Sequence, residues 1–252
     1  MAYDGLQVPG DVITFGVQAV EATAAQAKML LNIGPSNQLD ERGSEAPIHQ
    51  GTLFKLLGFE SVSSIDFCPA ESPSYVMDLN RPLPSDLYGR FNLVYDGGTS
   101  EHCFCTSEVL SNAVRLTKLG GRVMHHVPLN NWVDHGFYQF SPTLLFDFYE
   151  ANGFDELNML FHFIDRRRER YLPYEPRHFG RLPHSFGGKT KVQGCFTARK
   201  AKLVEDIAFP IQGRYRRAFG GEKENRHSPE TRWSRLARSI GKRTFRLRAK
   251  PL

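Results

Sequence analysis

Short β-branched runs that stop on an acid recur along this chain, and their spacing constrains the fold more than any other feature. "VSSIDF" (62–67), "SYVMDL" (74–79) and "FNLVYD" (91–96) carry Asp66, Asp78 and Asp96 at or near their carboxyl ends. "DVITFGV" (11–17), with Gly16 near its end, precedes them, and "GGRVMHHVPL" (120–129) follows. Runs this short and apolar read as strands covered on both faces. Helical periodicity fills the intervals. In "GTLFKLLGF", Leu53, Leu56 and Leu57 share a face before a stop at Gly58. "TSEVLSNAVRLTKLGG" aligns Val109, Ala113, Leu116 and Leu119, opens near Thr106 and Glu108, and ends at Gly120-Gly121. "SPTLLFDFYEANGF" (141–154) offers Ser141 as N-cap, Pro142 at the first helical position and Gly153 past the end. Strands alternating with helices predict a mostly parallel sheet with helices on both faces. Two late runs, "LNMLFHFID" (157–165) and "VQGCFTARKA" (192–201), have no helix between them and predict an antiparallel hairpin at the edge.

A chain of 252 residues suits one α/β domain with additions. The expected organisation is a domain over 1–205, with insertions at about 19–58 and 166–191, followed by a basic extension over 206–252. Charge separates the two parts. From Arg199 onward there are 16 Lys and Arg against 5 Asp and Glu; subtracted from totals of 32 and 27, this leaves 16 against 22 before it. The body is acidic and the tail basic. Within the tail, Trp233, Leu236, Ala237 and Ile240 share a helical face, so residues 230–248 read as a basic amphipathic helix suited to an anionic membrane surface or nucleic acid, or to docking on the acidic body or pairing in a dimer. An acidic body argues against nucleic acid as the main partner. The first residues, "MAYDGLQVPGD", lack the basic and apolar regions of a secretory signal, and Cys68, Cys103, Cys105 and Cys195 show no framework spacing. They read as reduced, mostly buried thiols in a cytoplasmic protein, with peripheral membrane contact through the tail.

In a sheet of this kind, ligands bind beyond the carboxyl ends of the strands. Gly16, Asp66, Asp78, Asp96 and the His126–Asn131 stretch all fall on that edge. Asp66 is placed to accept hydrogen bonds from a ribose or to form a turn, and Asp78 to lie near a base or begin a turn. The first loop, "TFGVQAV", holds one glycine, and Asp66 follows Gly16 by 50 residues. A dinucleotide fingerprint calls for three glycines and an acid about 20 residues on, so a phosphate cradle is not expected. "DGGTSEH" (96–102) lacks the GxSxG order of a nucleophile elbow. His102, Cys103, Cys105 and the His125-His126 pair fit metal-ligand spacing only loosely, and no metal is expected. The loop "PLNNWVDHGFYQFSP" (128–142) brings Asn130, Asn131, Trp132, His135 and Tyr138 after the fifth strand, a composition suited to a substrate wall.

The stretches "VYDGGTSEHCF", "LTKLGGRVMHHVPLNN" and "HGFYQFSPTLLFDFYEANGF" resemble the class I S-adenosylmethionine-dependent methyltransferases, over about residues 60–200. That resemblance implies a Rossmann-like sheet of about seven strands whose last strand is antiparallel. It implies that Asp66 with Phe67 holds the ribose side of S-adenosylmethionine. Asp78 and Leu79 would flank the adenine, Asp96 with Gly97 would line the methionine side, and Gly16 would stand in the first loop. The reaction implied is methyl transfer to O or N of a small-molecule or sugar-like (glycan-type) acceptor. Histidine suits the general-base role near neutral pH. His102, His135 and His126 are the candidates, with Asn130, Asn131, Trp132 and Tyr138 positioning the acceptor. The rival expectation is a catalytically inactive methyltransferase-like binding or scaffold protein.

Overall fold

The computed structural model describes residues 10–31, 46–165, 169–174, 188–213, 215 and 216. The proposed amphipathic segment 230–248 lies outside them. The chain forms two compact units, Met1–Val123 and Met124–Leu252.

The first unit is built on β1 (Asp11–Phe15), whose residues Val12, Ile13, Thr14 and Phe15 are all fully buried. A strand buried on both faces needs partners on both edges. β2 (Ser61–Asp66) and β4 (Phe91–Asp96) supply them in parallel register, Val12 opposite Val62 on one side and Leu93 on the other. β3 (Tyr75–Val76) adds to β2, and β5 (Thr117–Asn130) to β4, giving the order β3-β2-β1-β4-β5. α1 (Ala24–Leu31), α2 (Gln50–Leu56) and α3 (Thr106–Leu116) supply the helical cover. Phe54 of α2 meets Phe59 at 5.8 Å and Tyr95 at 5.4 Å between ring centroids, both edge-to-face.

Three differences from the sequence reading have local causes. The third strand contracts from 74–79 to two residues, because the Asp78 carboxylate accepts the Asn80 N–H at 2.9 Å and starts a turn. α3 ends at Leu116 rather than Gly120, because β5 begins at once with Thr117. Leu119 therefore leaves the helical face and is half exposed, whereas Val109, Ala113 and Leu116 are buried. α1 lies within the stretch read as an insertion; "AAQAKMLL" has the helix-favouring composition but little amphipathic contrast to announce it.

The second unit contains the end of β5, then α4 (Pro142–Ala151), β6 (Phe154–Ile164), β7 (Arg170–Pro173) and β8 (Lys191–Lys200), in sheet order β5-β8-β6-β7. β6 and β8 are antiparallel, as the missing helix between them predicts. β7 is an eighth strand among the described residues, drawn from the stretch read as an insertion at about 166–191; it covers the outer edge of β6. α4 packs Tyr149 on Phe196 at 5.4 Å, and the Tyr149 hydroxyl meets His125 Nε2 at 2.6 Å in the core. Beyond β8, Asn152 holds the chain at Ala208 by two bonds, donating to its carbonyl at 3.0 Å and accepting from its N–H at 2.9 Å.

One buried polar side chain fixes the loop after β3. Asn112 of α3, fully buried, accepts from Leu83 N at 3.2 Å and donates to the carbonyls of Leu79 at 3.2 Å and Arg81 at 2.8 Å. Truncation would leave three backbone groups to find other partners. Asn112→Ala should therefore cost about 2–4 kcal/mol, read as a fall in the urea midpoint at unchanged slope. A loss below about 1 kcal/mol would show that the loop is held elsewhere.

Candidate functional site

The carboxyl edge of the first unit is assembled by the bend after β1 and the turn after β4. Gly16 has φ +74°, a left-handed conformation that a glycine adopts without a Cβ penalty. Its N–H donates to Ile65 O at 2.7 Å. A methyl placed on it would come within 2.8 Å of the Thr99 hydroxyl, 3.4 Å of Gln18 Nε2 and 3.7 Å of Asp66 Oδ2. Three polar side chains from separate segments thus converge on one glycine. Gly97, at the end of the neighbouring paired strand, is closer still: a methyl there would lie 1.9 Å from Gln18 Oε1.

Asp96 organises the turn that carries Gly97. Its Oδ1 accepts the N–H groups of Gly98 at 3.3 Å, Thr99 at 2.9 Å and Ser100 at 3.3 Å, and its Oδ2 accepts the Ser100 hydroxyl. Thr99 in turn donates its hydroxyl to Phe15 O at 2.7 Å, tying the end of β4 to the end of β1. Asp66 receives Val17 N at 3.3 Å and Cys68 N at 2.9 Å, so its carboxylate is aimed at the first loop. Phe67 beside it is largely exposed, while Leu79 is buried. Hydrogen bonds from the Asn80 N–H and amide hold the Asp78 carboxyl below its ordinary range, and Asn80 Oδ1 accepts Cys105 N at 2.8 Å at the start of α3.

The electrostatics are those of a carboxylate-lined edge. Burial pushes the Cys103 thiol up to about 11, and the charges of Asp96, Asp78, Glu101 and Asp66 push it in the same direction. Cys103 is therefore a protonated thiol and no nucleophile. Cys68 and Cys105 are exposed rather than buried, because each lies in the turn that follows or precedes its regular element. His102 is exposed at the end of the short 3-10 turn Ser100–His102.

In the second unit, the loop after β5 is tied to the residues leading into β8. Asn131, with φ +61°, donates its amide to Gly188 O at 2.9 Å and Thr190 O at 2.7 Å. Trp132 donates its indole N–H to Val192 O at 3.0 Å, carries the Lys191 ammonium 4.3 Å above its ring, and lies 4.7 Å from the His135 ring. His135 is exposed, and His126, Asn130 and Tyr138 are half-buried, Tyr138 with its ring 6.3 Å from Phe140. His125, one position from His126, is the core member of the pair.

Gln18, Gln50, Thr99 and Asn80 take part in these networks without having been singled out in the sequence. Thr99 lies in the quoted "DGGTSEH" and Gln18 two residues past Gly16, so both were near a signal. Gln50, whose Oε1 accepts Gln18 N at 2.7 Å across 32 residues, had none.

No protein-family model matches the chain, and no curated protein is significantly similar to it. Solved structures are similar in architecture. A SAM-dependent methyltransferase of Archaeoglobus fulgidus is 14% identical with a TM-score of 0.47, over 77% of this chain and 88% of that one. The 1,6-didemethyltoxoflavin-N1-methyltransferase of Burkholderia thailandensis is 15% identical with a TM-score of 0.43, over 79% and 75%. A phosphoethanolamine N-methyltransferase of Haemonchus contortus is 12% identical with a TM-score of 0.42, over 77% of this chain and 49% of that one. The strand order, β3-β2-β1-β4-β5 followed from β5 by β8-β6-β7, with β8 antiparallel to β6, is that of a doubly wound, Rossmann-like sheet with an antiparallel edge.

Glu101 carries a titration that stability can read. Burial, aided by the nearby Asp96 charge, pushes its carboxyl up to about 7 from an ordinary 4.5, against the opposing pull of its own backbone N–H. The folded state therefore holds a proton that the unfolded chain releases at lower pH. The associated stability is complete below about 4.5 and is lost as pH rises through about 7. Glu101→Gln removes this slope, so the variant should gain on the parent between pH 5 and pH 8 in urea midpoint. Parallel curves for the two proteins would show that burial leaves Glu101 unshifted.

Proposed function

We propose that this chain is an S-adenosylmethionine-dependent methyltransferase that transfers a methyl group to O or N of a small-molecule or glycan-type acceptor. The observation that carries the proposal is the convergence of Gly16, Thr99, Asp66 and the Asp96-built turn at the carboxyl edge of a parallel sheet. Such an edge is where a doubly wound sheet takes its ligand. A sulfonium cation suits the four carboxylates that raise the Cys103 thiol.

The cofactor, when bound, supplies an electrophilic methyl group on sulfur. The chain's own part is alignment and proton removal. Asp66, aimed by Val17 N and Cys68 N, keeps a lone pair on each oxygen for a ribose diol. Phe67 offers an exposed aromatic face beside it, and Asp78 with Leu79 borders the base. Asp96 keeps Gly97 in place, and the absent side chain there lets a ligand approach the backbone. A bound cofactor would give that methyl to the lone pair of an acceptor oxygen or nitrogen, its sulfur keeping the electron pair of the broken bond. The acceptor's proton then goes to a histidine, His102 on the first unit or His135 and His126 on the second. Asn130, Asn131, Trp132 and Tyr138 are the acceptor-side residues of this reading.

No helix among the described residues is long and apolar enough to cross a membrane. The excess of basic residues after Arg199 supports contact between segment 230–248 and an anionic lipid surface. Full-length protein with Arg235, Arg238 and Arg246 changed to Glu should lose sedimentation with phosphatidylserine vesicles; undiminished binding would sink that part of the proposal.

Calorimetric titration with S-adenosylhomocysteine tests the cofactor reading. The expected result is saturable binding that Asp66→Ala weakens at least about tenfold, the scale of losing charge-assisted bonds to a diol. No heat at millimolar ligand would defeat it. His102→Ala and His135→Ala should each be assayed for turnover, and full activity in both would remove them as bases.

A further inference from the structure

Position 18 carries a side chain to which the proposed reaction gives no role, and its placement is defined at both ends. The Gln18 N–H donates to the buried Gln50 Oε1 at 2.7 Å. The Thr14 hydroxyl sits 3.2 Å from that same oxygen and 2.7 Å from Gly16 O, so the backbone of the first loop is fixed from beneath. From there the side chain folds back over the strand ends. Its Nε2 donates to Phe15 O at 2.6 Å and approaches Gly16 O at 3.5 Å. Its Oε1 rests against Gly97, 1.9 Å from where a Cβ would be. Among the described residues, no donor is paired with that oxygen.

The end of β1 thus presents two carbonyl acceptors, and a neutral primary amide of the chain itself occupies them. Carbonyl acceptors beside Asp66 Oδ2 and the Asp96 turn bind an ammonium better than an amide, because charge-assisted hydrogen bonds are stronger than neutral ones. We propose that the Gln18 carboxamide is a built-in occupant of the ammonium subsite. It must swing away from Phe15 O and Gly97 before the amino-acid half of S-adenosylmethionine can seat, and it thereby sets how strongly that half contributes to affinity. This inference rests on the cofactor reading and adds a specificity-determining residue to it. Displacement costs the two amide bonds and the contact with Gly97, so a ligand lacking an amino-acid half escapes the penalty.

Two ligands separate the effect: S-adenosylhomocysteine, which has the amino-acid half, and 5'-methylthioadenosine, which lacks it. Each is titrated calorimetrically into the full-length protein, Gln18→Ala and Gln18→Asn. The asparagine variant keeps the amide and is one methylene too short to reach both carbonyls, so it reports even if the alanine variant folds poorly. Both variants should bind S-adenosylhomocysteine about tenfold tighter than the parent, the scale of two hydrogen bonds no longer broken on binding, with 5'-methylthioadenosine unchanged within about twofold. An equal gain for the two ligands would overturn the proposal by showing general loosening of the loop. Weaker S-adenosylhomocysteine binding would overturn it by making Gln18 a direct contact. Failure of all three proteins to bind either ligand would defeat the cofactor reading itself, a result distinct from both.

Discussion

The Asp96 carboxylate is the constraint on which the first unit's edge depends. A buried acid at the end of a strand has to be solvated by something, and here three consecutive backbone N–H groups and the Ser100 hydroxyl do it. That solution bends the chain tightly after β4, sets Gly97 against the end of β1, and aims the Thr99 hydroxyl at Phe15 O. The local arrangement is therefore dictated by electrostatics before any ligand is considered. Glu101 follows from the same turn: its burial, aided by the nearby Asp96 charge, raises its proton affinity.

The fold was legible because burial on both faces leaves a continuous apolar signature, as in β1 and β4, and because every strand of the first unit but β3 kept close to its predicted span. The antiparallel pairing of β6 and β8 followed from the absence of a helix between two runs. What escaped was decided by contacts distant in sequence. β7 is an edge strand whose Arg170 and Tyr171 look solvated in isolation and become a strand only against β6. The early stop of α3 was hidden because "RLTKL" satisfies helical periodicity up to the glycines.

Site residues divide along the same line. Asp66 and Asp96 were placed at strand ends from position alone, and β2 and β4 end on them. The roles of Gln18, Gln50 and Asn80 depend on side chains that close loops across 32 and 25 residues, and no local pattern encodes that. In the second unit, the aromatic and amide richness of "NNWVDHGFYQF" was visible, but its use to clasp the start of β8 was not.

The segment between Asp78 and Leu83 is bound at both ends to the same helix, through Asn80 at the first amide before α3 and through Asn112 about two turns further along. A loop held twice by one rigid rod has no hinge of its own. Its amides should open with α3 as one cooperative block rather than breathe as surface loops do, and its length is bounded by the helical rise between the two anchors. An extra residue there would have no place to go. The border that Asp78 and Leu79 form is thus a wall whose position the helix decides, while adaptability on this edge falls to the side chain at position 18.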